Sequence, residues 1–272
     1  MALTPAERWR SLLEQWAVPP ALLKAAGLAA EADPAPILSG DPAVVAATPT
    51  ARIASRLAGD GGSVLAVGCD AGRLPVALAV AGHRVTAVVA DEAALAVLRR
   101  RGGDAGARVT AIVGSWPHMA RNAGPHDVVL VGHAVYRVHE IVAFVEAMHG
   151  AARRGAVVEV SPDHPLVTYR RHFSQIHGLE RPDGPDADDL ARVIAHATSV
   201  VPTREYWTAE DRVGFGSLAD LMAHHRPIAA VTAAQAMEAG ALFEQEVSTL
   251  PDGSVVLGHP HREAITLWWR TR

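Results

Sequence analysis

A chain of 272 residues with 49% hydrophobic side chains can bury the core of one α/β domain with an added helical layer, although length alone does not exclude two small domains. Its 25 basic residues are spread against 29 acidic ones, a net charge of -4, and gather into no patch suited to nucleic acid. One cysteine, Cys69, excludes an internal disulfide and a multi-cysteine metal cage, and no window reaches the ~20 apolar residues of a membrane span.

Residues 1–8 lack the basic-then-apolar order of a signal peptide, so a cytoplasmic location with no membrane partner is expected. Scarce lysine beside abundant arginine and alanine points to a high-GC bacterial genome. From residue 5 to 27 apolar side chains recur at helical spacing (Trp9, Leu12, Leu13, Trp16), and after Pro19-Pro20 residues 21–29 can form a second short helix. Residues 31–42, punctuated by prolines and aspartates, read as a loop. It separates an expected N-terminal helical cap, residues 1–42, from an α/β domain, residues 43–272.

After a helix over 43–57 the chain alternates strand and helix. Strands are predicted at 63–67, 84–89, 108–113, 127–131 and 156–160, and helices at 74–81, 92–101 and 140–153. The strands are short, Val-rich and apolar on both faces, as parallel strands covered by helices on either side must be. Residues 161–188, rich in His, Arg, Pro and Asp, read as a loop leaving the fifth strand at the C-terminal edge of the sheet, where ligands bind in open α/β folds. That segment is expected to be a substrate lid. Beyond it come a helix at 187–197, a strand at 200–207, helices at 217–224 and 232–243, and a hairpin turning at Pro251-Asp252-Gly253 between residues 245–250 and a strand through 266–269. The predicted fold is a Rossmann-like, doubly wound, seven-stranded sheet with an antiparallel C-terminal strand. Late antiparallel strands argue against a dinucleotide dehydrogenase, whose second half repeats parallel units.

The most specific text runs from Ser63 to Gly72, S-V-L-A-V-G-C-D-A-G, followed about twenty residues on by Arg84-Val85-Thr86-Ala87-Val88-Val89. A buried strand entering a Gly-x-x-x-Gly turn before a helix brings backbone N–H groups close to a nucleotide-like ligand. The frame resembles class I S-adenosylmethionine-dependent methyltransferases. So does the order of Trp16-Ala17-Val18-Pro19-Pro20, Gly114-Ser115-Trp116-Pro117, His133-Ala134-Val135-Tyr136, Arg181-Pro182-Asp183-Gly184-Pro185 and the closing Thr266-Leu267-Trp268-Trp269, which is similar to a group of small bacterial members. Three family positions are altered: Ala66 replaces an acid, Asp70 replaces the middle glycine, and Val89 stands where a carboxylate grips both ribose hydroxyls.

The resemblance implies S-adenosylmethionine as cofactor and a small-molecule acceptor as partner, with the oligomeric form, homodimer or hetero-partner, left open. The implied cofactor residues are Ala66, Gly68, Asp70, Gly72, Val89, Asp91, Ser115, Trp116 and His133. Asp91 has a second reading as the cap of the following helix, and Trp116 a second reading as a core residue. The catalytic candidates are His133, an imidazole suited to accepting a proton near neutrality, and Tyr136. The substrate candidates are Trp16, His164, Tyr169 and Arg170. The histidines of the 161–188 segment, His164, His172 and His177, lack a compact i, i+4 pair, and no metal site is predicted. Because the cofactor motif is degenerate, the alternative is a methyltransferase-like protein with weak or lost catalysis, acting as a ligand-binding or partner subunit. A third reading keeps the ligand and changes the reaction.

Overall fold

The computed structural model describes residues 2–32, 37–68 and 72–271. Cys69 and Asp70, both singled out in the sequence, lie outside the described residues.

In chain order the helices are α1 (Pro5–Trp16), α2 (Pro20–Ala25), α3 (Pro42–Ala46), α4 (Pro49–Ala58), α5 (Arg73–Val80), α6 (Glu92–Asp104), α7 (Ala120–Ala123), α8 (Ile141–Ala151), α9 (Arg170–His177), α10 (Ala187–Thr198), α11 (Leu218–Ile228) and α12 (Ala236–Gln245). The strands are β1 (Ser63–Val67), β2 (Arg84–Val89), β3 (Val109–Val113), β4 (His126–Gly132), β5 (Ala152–Val160), β6 (Thr203–Ala209), β7 (Val247–Thr249), β8 (Val255–Leu257) and β9 (Arg262–Arg270).

Seven strands form one sheet in the order β3-β2-β1-β4-β5-β9-β6. β1 to β5 run parallel, and β9 lies antiparallel between β5 and β6. The expected sheet with its reversed last strand is therefore the one observed. Alternation along β1 explains the layers. Leu65 and Val67 enter a core closed by α8, α10 and Trp9 of α1. Val64 enters a second core with α4 and α5, and Ala66 packs with Val76, Ala87, Val89, Leu95 and Leu98 beneath α5 and α6. Strands buried on both faces need apolar residues at successive positions, which is what the valine runs supply.

Several boundaries depart from expectation for local reasons. The helix predicted over 43–57 is two helices, because Thr48 caps a new start with Pro49 in its first turn. The helix predicted to reach residue 153 stops at Ala151, where β5 begins four residues earlier than its apolar run suggests. The stretch read as a loop over 161–188 is largely helical: a 3₁₀ turn, Pro165–Tyr169, leads into α9, whose amphipathic face buries His172 and Phe173. The Pro251-Asp252-Gly253 turn joins β7 to β8 in a separate small hairpin, and β9 enters the main sheet on its own. A third core links Trp16, Leu166, Tyr169, Phe173, Phe243 and Leu257, so α1, α9, α12 and the hairpin are packed together. Among the described residues no helix is long and apolar enough to cross a membrane.

Candidate functional site

The first glycine turn opens from the C-terminal end of β1. Gly68 takes φ 60° and donates its N–H to the carbonyl of Val88. A Cβ at this position would lie 2.3 Å from the Cβ of Ala134, so the close approach requires glycine. Gly72 takes φ 87° and precedes α5 without a side-chain cap. The end of β2 does not supply the ribose acid: Val89 is 2% exposed inside the apolar cluster that contains Ala66. The Asp91 carboxylate accepts the N–H of Ala94 at 2.8 Å and caps α6. The capping reading of Asp91 is the one the geometry shows.

Past β3, the indole of Trp116 meets Phe144 edge to face and donates to the Phe144 carbonyl at 3.2 Å, packed against the main core. Ser115 pairs with His118.

The polar chemistry of this edge gathers around Glu159, a fully buried carboxylate near the end of β5. Arg73, from the first turn of α5, pairs with Glu159 Oε1, and Arg262 Nη1 reaches the same oxygen at 3.0 Å. Arg262 also makes a two-pronged pair with Asp211, its Nε 2.9 Å from Oδ1, and its guanidinium stacks 4.5 Å from the Trp207 ring. Register brings these groups together: Glu159 faces Thr266 across β5–β9, and Arg262 faces Ala209 across β9–β6, two residues before Asp211. Burial by itself raises the Glu159 carboxyl. His133 and the two guanidinium charges outweigh it and hold the carboxyl well below the usual carboxylate range.

His133 follows β4 at φ 53°, a left-handed conformation that a non-glycine residue adopts only when its surroundings impose it. Its backbone N–H donates to the Glu159 carbonyl at 2.9 Å, and its Nε2 stands 3.3 Å from Glu159 Oε1. Tyr136, on the following 3₁₀ turn, donates to the Ser161 carbonyl at 3.1 Å and lies beside the Trp9 ring, and burial raises its hydroxyl above the ordinary tyrosine range.

Three of the four substrate candidates are buried in packing, and the fourth, Arg170, is partly exposed in an ion pair. Trp16 is 2% exposed, stacks on His164 at 4.8 Å and donates to the Gly184 carbonyl. His164 is pushed down to about 3 by burial, and its Nδ1 accepts the Leu166 N–H. Tyr169 is buried and hydrogen-bonded to His225 Nδ1. Arg170 holds the Pro182 carbonyl at 2.8 Å and Asp183 at 2.6 Å. The sequence reading missed Glu159, Arg73, Asp211 and Arg262. One signal was available: Glu159 is a lone charge in the otherwise apolar run Ala156-Val157-Val158-Glu159-Val160. The other three lie too far apart in the chain to be grouped without the sheet register.

Residues 64–155 match the family model described as a methyltransferase domain. No curated protein matches the sequence. Among solved structures, a candidate methyltransferase from Bacillus halodurans C-125 superposes with a TM-score of 0.52 at 14% identity, over 86% of this chain and 99% of that one. Magnesium protoporphyrin IX methyltransferase from Synechocystis PCC 6803, solved with bound SAH, gives 0.49 at 14% identity over 84% and 83%. At 14% identity the Bacillus halodurans superposition shows the fold alone. The fold is a Rossmann-like, doubly wound sheet with an antiparallel last strand, and part of it matches the methyltransferase-domain model.

Proposed function

We propose that the chain binds S-adenosylmethionine at the turn between β1 and α5 and transfers its methyl group to a small-molecule acceptor. The observation that carries this reading is the glycine-only turn at Gly68, at the C-terminal edge of β1 in a sheet ordered β3-β2-β1-β4-β5-β9-β6, within the matched methyltransferase domain. The backbone at Gly68, where only glycine fits, would let the amino-acid or ribose portion of the cofactor approach closely. When bound, the cofactor supplies an electrophilic methyl group. The protein's tasks are then to align the acceptor and, for a hydroxyl or amine, to take up its proton. His133, at the lip of the same edge, is the residue placed to take it, and Tyr136 beside it braces the 3₁₀ turn through Ser161. The acceptor enters from the side of β4 and β5, because Trp16, His164 and Tyr169 close the neighbouring cap with their own packing.

Cofactor affinity is modest in this reading. With Val89 apolar and Asp91 engaged in the helix cap, the ribose hydroxyls lose charge-assisted hydrogen bonds of ~1.5–3 kcal/mol each, about ten- to a hundredfold in binding. The same feature motivates the second reading, a relative with weak or lost catalysis that serves as a ligand-binding or partner subunit. Incubating the purified protein with methyl-labelled S-adenosylmethionine and a broad set of small-molecule acceptors separates the two. Label transfer supports the enzyme; no transfer to any acceptor, combined with no cofactor binding, supports the partner subunit.

A further inference from the structure

We propose that Glu159 is the positioning residue for His133, holding its imidazole with Nε2 toward the carboxylate so that Nδ1 is the nitrogen that receives the acceptor's proton. The inference rests on the methyl-transfer reading of this edge and deepens it.

Burying a carboxylate beside an imidazole and two guanidinium groups costs several kcal/mol per charge unless the charges are paired. Here they are. Arg73 and Arg262 both reach Glu159 Oε1, Arg262 is anchored in turn on Asp211, and the four formal charges cancel. A carboxylate fixed in this way remains ionised and cannot follow a mobile partner, so it sets the orientation of whatever ring lies against it. His133 is that ring, 3.3 Å away at Nε2, with its backbone tied to the Glu159 carbonyl and bent into the left-handed region. Nε2 is sealed from solvent and forms no well-directed hydrogen bond in this geometry. It is close to the carboxylate without being locked, as suits a pair that tightens when the ring gains charge. Nδ1 has no hydrogen-bond partner among the described residues, and 8% of the side chain remains exposed. None of that exposure is at Nε2, so an incoming molecule meets the rest of the ring.

The step balances without further groups. The acceptor's O–H or N–H proton passes to Nδ1 while the acceptor's electron pair forms the bond to the methyl carbon. The carbon–sulfur bond breaks with its electrons left on sulfur, and the imidazolium is stabilised through Nε2–H by Glu159.

The test reads the ring directly. Long-range ¹⁵N–¹H correlation of the His133 imidazole at pH 7.5, assigned by its loss in His133→Gln, is expected to show a protonated Nε2 and a bare Nδ1 in the unmodified protein. Glu159→Gln, which can donate or accept, is expected to lose that single tautomer and give mixed Nδ1–H and Nε2–H signals, whereas Glu159→Asp retains the Nε2–H preference. If Glu159→Gln does not fold by circular dichroism, the tautomer in the unmodified protein and in Glu159→Asp decides. An Nδ1–H tautomer in the unmodified protein, or a tautomer untouched by Glu159→Gln, overturns the proposal. Calorimetric titration of the same samples with S-adenosylhomocysteine keeps the two readings apart. Absent binding in the unmodified protein counts against methyl transfer and leaves the tautomer result standing.

Discussion

Lowering the pH from 7.5 to 5 should cost this protein several kcal/mol of stability through three histidines it buries in the neutral form. His164, His172 and His225 are pushed down to about 3, about 4 and about 3, in each case chiefly by burial. In the unfolded chain they return to about 6.5. Below that value the unfolded state binds protons the folded state refuses, so stability falls with pH, and the loss stops only below the folded values. At ~1.36 kcal/mol per pH unit, pH 5 costs about 2 kcal/mol for each histidine and about 6 for the three, against a typical total of ~5–15. Asp163 and Glu246, whose carboxyls burial raises, act in the opposite sense, and Glu159 and Asp189, held low, contribute their loss only at more acid pH. The assay is urea unfolding by circular dichroism at pH 7.5, 6.5, 5.5 and 5.0, with His172→Leu alongside. Both ring nitrogens of His172 lack a hydrogen-bond partner and the ring stacks on Phe243 at 4.1 Å, so leucine removes the titration at little cost in bonding. The variant should lose about one third less stability over this range. Equal pH slopes in the two proteins, or a flat profile from 7.5 to 5, would falsify the argument.

Removing one member of the buried charge network should be severe: Arg262→Met leaves Glu159 and Asp211 short of a partner and should cost ~3–5 kcal/mol in urea unfolding, with a loss under 1 kcal/mol showing that the network is not the buried, paired unit described. Asp91→Ala should cost ~1 kcal/mol as a lost helix cap and leave S-adenosylhomocysteine affinity unchanged, whereas a tenfold weaker affinity would make Asp91 the ribose ligand after all. Val89→Asp should lower the melting temperature of the free protein, by burying an unpaired carboxylate, yet show a larger S-adenosylhomocysteine-induced rise than the parent; an equal rise places the ribose elsewhere. On an identified acceptor, His133→Ala should cut turnover by ~10²-fold while cofactor affinity holds, and unchanged turnover would mean that alignment alone drives the reaction.

The sheet was legible because its signal is local and repeated. Each β1-to-β5 strand announces itself by an apolar run between helical spacings, and the Gly68 and Gly72 turn stands where a strand meets a helix. The cap was harder to read. Polar text over 161–188 hid a helix because its buried face is built from His172 and Phe173 rather than from aliphatic residues, and a histidine counts as polar in any hydropathy pattern. The hairpin turn at Pro251-Asp252-Gly253 was found but given the wrong second strand, since β8 is only three residues long. His133 was visible in the sequence by its place after β4. Its partner Glu159 and the arginines that hold it depend on which strands lie side by side, which is fixed by β9 inserting between β5 and β6. Trp16, His164 and Tyr169 had the composition of a binding surface, but their ring stacking and hydrogen bonds commit them to the core.

The most direct test of the account is calorimetric titration of the purified chain with S-adenosylmethionine and S-adenosylhomocysteine, with NAD and ATP as controls. Saturable one-to-one binding of both sulfur nucleosides is expected, about ten- to a hundredfold weaker than at a site with the ribose carboxylate intact, with no binding of either control. No saturation by either at millimolar concentration, or preferential binding of NAD, would contradict it.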